Sequence, residues 1–222
     1  MSAVTTARNV RIAIWTILAF LLAAGVIWYA VVSTNKPTPA APQAGDVQLM
    51  RENSHRVTNP VTEKAQLVEF LDFECESCRS AEPLVQKLKQ EYGDRITFIH
   101  RYFPLPGHAN SGTAALAVEA AAQQGKYEQM AAKLFETQPQ WGEKQDSQAT
   151  LFRTYAEELG LDMSQYDTEV AAEETKERIR QDIADGKALG VTGTPTFFLD
   201  GEKLILDSEA QFRQLLDNAS QK

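Results

Sequence analysis

The sequence predicts an α/β domain interrupted by a helical insertion and preceded by one N-terminal transmembrane helix. Three observations lead there. The apolar run Leu67-Val68-Glu69-Phe70-Leu71 reads as a strand and gives way, from Arg79, to a helical pattern, with Cys75-Glu76-Ser77-Cys78 at the junction. Residues 109–188 carry helical periodicity and no strand pattern, and they lie between two stretches that do read as strands. Ile12 to Val32 is a run of 21 residues without a charge.

As a helix that run is about 31 Å long at roughly 1.5 Å per residue, which matches a hydrocarbon core of about 30 Å. Arg8 and Arg11 precede it, Trp15 sits near one end, and Trp28 with Tyr29 near the other, where interfacial aromatics are placed. The alternative is a cleaved signal peptide, whose apolar core is about 7 to 15 residues. This run is longer and ends in Trp-Tyr-Ala-Val-Val instead of a small-residue cleavage site. The expectation is a retained anchor over 12–32, with residues 1–11 in the cytoplasm, because the arginines cluster before the span and Lys36 alone follows closely. Residues 33–46, with Pro37, Pro39 and Pro42, read as an extended spacer. The domain of residues 47–222 is then extracytoplasmic, held off the bilayer.

Within the domain, 47–61 is polar and irregular, with a short strand expected near Val47 to Met50. Leu67–Leu71 is apolar on both faces except at Glu69, the pattern of a central strand in a covered sheet. A carboxylate in such a strand is costly unless it has a partner or a purpose. Ser80 to Tyr92 continues as a helix with Leu84, Val85 and Leu88 on one face; Pro83 removes a backbone donor and bends it, and Gly93 ends it. Arg95 to Tyr102 alternates as a strand and Phe103 to Gly107 is a turn. The helical stretch contains Ala114–Gln124, a stripe of Tyr127, Met130, Ala131, Leu134 and Phe135, and a second stripe of Leu151, Phe152, Tyr155 and Leu159 closed by Gly160. It ends in a charged helix, Val170–Asp185, with Ile179 and Ile183 inward. Strand returns over 190–199, Asp200-Gly201 turns a hairpin into Lys203–Leu206, and Ser208 caps a terminal helix to Asn218.

The formal net charge of −8 and the lack of a basic patch argue against a nucleic-acid partner. The only two cysteines sit together, leaving none for a structural disulfide elsewhere. The spacing alone would equally serve half of a zinc site, but a structural zinc needs four ligands, and His55, His100 and His108 supply no second pair at ligand spacing. The strand-turn-helix context favours a reactive dithiol. Cys75, at the start of the helix, faces free backbone N–H groups and the positive end of the helix dipole, which favour the thiolate. Cys78, one turn on, is screened and placed to resolve a mixed disulfide.

Three segments taken together resemble the thioredoxin superfamily, in the DsbA-like branch that carries an inserted helical domain. They are Val68-Glu69-Phe70-Leu71-Asp72-Phe73-Glu74-Cys75-Glu76-Ser77-Cys78, Arg101-Tyr102-Phe103-Pro104-Leu105, and Leu189-Gly190-Val191-Thr192-Gly193-Thr194-Pro195-Thr196-Phe197-Phe198. The resemblance covers residues 60–219 and implies a thioredoxin fold with a helical insertion at about 109–188.

It further implies a cis Thr194-Pro195 bond facing the cysteines, with the Thr194 backbone pairing with a substrate peptide as an added strand. Pro83 matches the kink proline of such helices. Glu69 matches the buried acid behind the resolving cysteine, a proton acceptor, against the plainer reading of an exposed edge-strand glutamate. Glu76-Ser77 departs from the Pro-His of the best-studied oxidases, and with Asp72 and Glu74 close by the thiolate is expected to be less favoured than in an extreme oxidase. Those acids read as a solvated rim, His108 as a solvated turn residue, and the Tyr127–Phe135 stripe as core in preference to a substrate groove. The implied activity is a protein disulfide oxidoreductase, first an oxidase of exported cysteine-containing proteins, monomeric, needing no organic cofactor or metal, and reoxidised by a quinone-linked membrane partner. A reductase or isomerase is the alternative of the same class; a thiol-based metallochaperone for a soft ion such as Cu(I) is that of another.

Overall fold

Among the described residues five strands, β1 (His55–Arg56), β2 (Ala65–Leu71), β3 (Ile96–Tyr102), β4 (Thr196–Leu199) and β5 (Glu202–Lys203), form one sheet in the order β1-β3-β2-β4-β5. The computed structural model describes Trp15 and residues 47–221; the expected anchor, Trp15 apart, and the expected spacer lie outside the described residues. Among the described residues no helix is long and apolar enough to cross a membrane. Strand β2 pairs in parallel with β3 and antiparallel with β4, so it is flanked on both sides. That position explains why its sequence is apolar on both faces.

Alternation along the strands separates two cores. On one face Leu67, Phe98 and Phe197 pack with Val85 and Leu88 of α1 (Glu76–Tyr92) and with Phe212 and Leu216 of the terminal helix α7 (Glu209–Ser220). On the other, Val68, Phe70, Ile99 and Phe198 pack with Phe103 and Val191, and with Ile183 of α6 (Glu173–Ala188). Each large apolar side chain so buried contributes about 1.5–3 kcal/mol. Helix α6 comes close to the sheet at Gly186, where an added Cβ would lie 2.7 Å from the Phe103 ring and 3.0 Å from that of Phe70.

The insertion consists of α2 (Ser111–Ala122), α3 (Tyr127–Trp141), α4 (Ala149–Glu158) and α5 (Met163–Ala171), followed by α6. The alanines of α2 let neighbouring helices approach closely, and Trp141 and Phe152 meet edge to face with centroids 4.8 Å apart. The Tyr127–Phe135 stripe belongs to this core.

Several boundaries differ from the sequence expectation. Residues 47–50 are not a strand: the Gln48 and Leu49 carbonyls accept from Arg101 instead of joining the sheet, and the edge strand is the two-residue β1. The expected helix Val170–Asp185 is broken at Ala172, whose extended backbone (φ −61°, ψ 139°) ends α5 and starts α6. Strand β3 does not alternate; all seven residues are buried, Arg101 included. In the last hairpin β4 begins only at Thr196 and β5 ends at Lys203. Pro83 lies inside a single helix that begins at Glu76, three residues before the expected start. Ser208 caps α7 as expected, its side chain accepting from the Gln211 N–H.

Candidate active site

Strand β2 stops at Leu71 and the chain turns through 72–75 into α1. The turn is closed by the Cys75 N–H donating to the Asp72 carbonyl (3.1 Å) and by the Glu74 N–H donating to Asp72 Oδ1 (2.8 Å). Cys75 takes the N-cap position of α1, where the first backbone donors have no intrahelical acceptor. Both cysteines are free thiols; Cys75 is 7% exposed and Cys78 1%. Cys75 Sγ lies 3.3 Å from the Thr194 carbonyl oxygen, and the Thr194-Pro195 peptide is cis. The chain thus brings together Cys75, Cys78, Ser77, Thr194 and Pro195 from two regions more than a hundred residues apart.

The two thiols are driven in opposite directions. Cys75 is lowered to about 5, chiefly by the hydrogen bond from the Cys78 thiol, with the backbone N–H groups of Cys78 and Ser77 adding to it against burial. Burial pushes Cys78 far above the ordinary thiol range, and its bond to Cys75 and the charge of Glu69 act the same way.

Glu69 is buried on the central strand, not exposed on an edge, and burial, then the charge of Glu82, raises it to about 8 against the pull of Lys89. Its register partner on β3 is His100. His100 Nε2 stands 3.7 Å from Glu69 Oε2, and neither atom has a hydrogen-bond partner among the described residues, while His100 Nδ1 meets the Tyr127 hydroxyl at 3.0 Å. Burial lowers His100 to about 3, so the ring is neutral near pH 7 and the contact is no ion pair. His100 forms part of the wall of a cavity of about 770 Å³ between α1 and α3, with Arg79, Glu82, Pro83, Lys89 and Tyr127. The stripe of α3 therefore serves both the core and a cavity wall.

Two expectations are corrected. Asp72 and Glu74 are not a solvated rim: they are 1% and 2% exposed, and of the nearby acids only Glu76 faces solvent. Nor is His108 a free turn residue, since its Nδ1 lies 2.6 Å from Asp72 Oδ2. The reason is the same in both cases. The loop after β3 folds over the cysteine turn and supplies its buried carboxylates with donors.

Sequence reasoning missed one further residue. Gln138 of α3, 3% exposed, donates from Nε2 to the carbonyls of Phe73 (2.8 Å) and Cys75 (3.0 Å) and accepts from Arg79 Nε (3.0 Å). The inserted helices thereby hold the cysteine turn directly. No local signal marks a glutamine in an amphipathic helix for this. Among the described residues, no group of three or more His, Cys, Asp or Glu side chains is arranged to hold a metal ion.

A thioredoxin family profile matches residues 60–218. A thioredoxin-like oxidoreductase from Silicibacter pomeroyi DSS-3 is 30% identical, with a TM-score of 0.67 over 80% of this chain and 98% of that one. Wolbachia pipientis alpha-DsbA1, at 20% identity, shares the fold with a TM-score of 0.67 over 81% and 96% of the two chains. A protein named Na(+)/H(+) antiporter NhaA 1, from Mycobacterium sp. (strain KMS), is 35% identical over 142 residues, 62% of this chain and 22% of that protein. The chain thus spans about a fifth of the length of the curated relatives it matches.

Proposed function

The chain belongs to the thioredoxin family, and on that footing we propose that it is a membrane-anchored, extracytoplasmic thiol-disulfide oxidoreductase that introduces disulfides into exported proteins. The observation that carries the direction is Cys75 lowered to about 5 at the start of α1. A thiolate that stable favours the dithiol over the disulfide, which makes the disulfide a ready oxidant.

In the forward reaction a client thiolate attacks Cys75 Sγ of the Cys75–Cys78 disulfide. The S–S bond breaks, its electron pair leaves on Cys78, and Glu69 returns a proton to that sulfur. A second client thiolate then attacks the client sulfur of the mixed disulfide, and Cys75 leaves as a thiolate. Two electrons have passed from client to enzyme. A membrane redox partner, quinone-linked as the resemblance implies, takes them back. Thr194 and Pro195 hold the client strand beside Cys75, and Ser77 supplies an N–H to the thiolate. Glu69 suits its part because a carboxyl titrating near 8 both gives and takes a proton close to neutral pH. The cavity behind His100 offers that proton a way to solvent.

The anchor is supported by the uncharged run 12–32. The reductase alternative keeps Glu76, the acid between the cysteines, in its favour.

The deciding experiment is the equilibrium reduction potential of the full chain against glutathione. A value between roughly −120 and −170 mV is expected, and one near −250 mV or below would reassign the protein as a reductase. Glu69→Gln is expected to slow the step in which Cys78 leaves, formation of the mixed disulfide, and its reverse, release of the mixed disulfide by Cys78, by about tenfold or more in single turnover without unfolding the domain; an unchanged rate would remove Glu69 from the mechanism.

A further inference from the structure

Asp72, Glu74 and Glu76 all neighbour Cys75 in sequence, and buried carboxylate charge beside a thiol opposes its ionisation. Glu74 is answered by backbone, its oxygens accepting from the N–H groups of Asn110 (2.7 Å) and Glu143 (3.0 Å). Asp72 is answered differently. Its Oδ2 accepts from the Leu105 N–H (2.9 Å) and faces His108 Nδ1 at 2.6 Å, while its own carbonyl accepts the Cys75 N–H at 3.1 Å. Asp72 is therefore the joint between the cysteine turn and the loop before α2, and His108 brings a cation to that joint.

We propose that His108 is the counter-charge of the Cys75 thiolate, delivered by Asp72 from the loop between β3 and α2, where the dipeptide between the cysteines, Glu76-Ser77, supplies no cation. The assignment rests on the dithiol chemistry proposed above and not on the direction in which electrons flow. Backbone donors could satisfy the hydrogen bonds of Asp72, but only a cation offsets its charge. His108 is raised above the ordinary histidine value: burial acts to lower it, and the bond and charge of Asp72, then the charges of Glu74 and Cys75, outweigh burial. Those three groups all lie on the 72–75 turn. The coupling is reciprocal, so a thiolate that helps hold the proton on His108 is itself stabilised by the imidazolium. Forming the disulfide removes that thiolate, and His108 then holds its proton less tightly.

The test is made on the full chain with two readouts. In His108→Gln the midpoint of thiolate formation, followed by ultraviolet absorbance, is expected to rise by about one pH unit, a tenfold loss of thiolate below the midpoint. His108→Lys, which keeps a cation, is expected to recover most of it. A folded His108→Gln protein with an unchanged midpoint would overturn the proposal. Should that variant fail to fold, the imidazole titration of wild-type His108 by NMR decides: the midpoint is expected to be lower in the disulfide form than in the dithiol form, and equal midpoints would overturn the proposal. Neither readout involves a client or a redox partner, so a wrong assignment of the protein as an oxidase would leave both outcomes intact.

Discussion

Replacing Cys78 with serine is expected to arrest the reaction halfway, with Cys75 joined to client proteins as mixed disulfides that survive non-reducing electrophoresis and disappear on reduction. Cys75 keeps a reactive sulfur at the N-terminus of α1, where backbone donors still favour the thiolate. It loses the hydrogen bond from Cys78, the largest contribution to its low value, so its ionisation midpoint should move up. Without Cys78 the forward oxidation cannot begin, but the Cys75 thiolate still runs its last step backwards on a disulfide in a client, forming the Cys75–client S–S bond and expelling the other client sulfur. No second thiol then follows, and multiple-turnover exchange should fall by roughly a thousandfold or more. The converse variant, Cys75→Ser, should trap nothing. Cys78 is 1% exposed and its thiol is pushed above the ordinary range, so it is neither reachable nor ionised. Equal trapping through either sulfur would mean that burial does not divide the roles, and no trapping through Cys75 would sink the exchange mechanism.

What was legible in the sequence follows the range of the interactions. Strand β2, the cysteine turn and α1 are adjacent in the chain, and a short apolar run passing into a helical pattern announces them. The Thr194-Pro195 side of the site entered through resemblance alone, since nothing local connects it to Cys75. Gln138 and His108 reach the same turn from 63 and 36 residues away, and a sequence gives no distance between them. The acids at 72 and 74 misled for a related reason. Charged residues are expected at the surface, and a buried carboxylate becomes tolerable only through donors from other elements, here the loop at 105–110 and the N–H of Glu143. Strand β1 has two residues, too few for any periodicity.

The same failure hid the feature whose loss should cost the fold most. Arg101 is fully buried on β3, and its guanidinium donates to Asp182 Oδ1 (2.6 Å), Asp185 Oδ2 (2.7 Å) and the carbonyls of Gln48 (3.0 Å) and Leu49 (2.7 Å). Arg51 also pairs with Asp185, and Arg178 with Asp182, so α6 and the segment 48–53 are fastened to the sheet by one network. Arg101→Met keeps much of the volume and leaves two buried carboxylates short of charge, which is expected to cost about 3–5 kcal/mol in urea unfolding. A loss under about 1 kcal/mol would show that Arg51 and Arg178 suffice without it. The pH dependence gives an independent check. Asp185 titrates below the ordinary carboxylate range because the bonds from Arg51 and Arg101 outweigh burial. A depressed value contributes stability that is whole above about pH 3.9 and is lost as pH falls through the folded value, so Arg101→Met should flatten the acid limb of the stability curve. The consequence reaches the site, because α6 runs straight into the loop that carries Thr194, with the Val191 N–H bonded to the Gly186 carbonyl at 2.8 Å. A helix that shifts on the sheet moves the carbonyl facing Cys75, and a displacement of about 1 Å at a reacting group can cost on the order of a hundredfold in rate. Arg101→Met should therefore lose exchange rate even under conditions in which it is fully folded, while Cys75 still ionises.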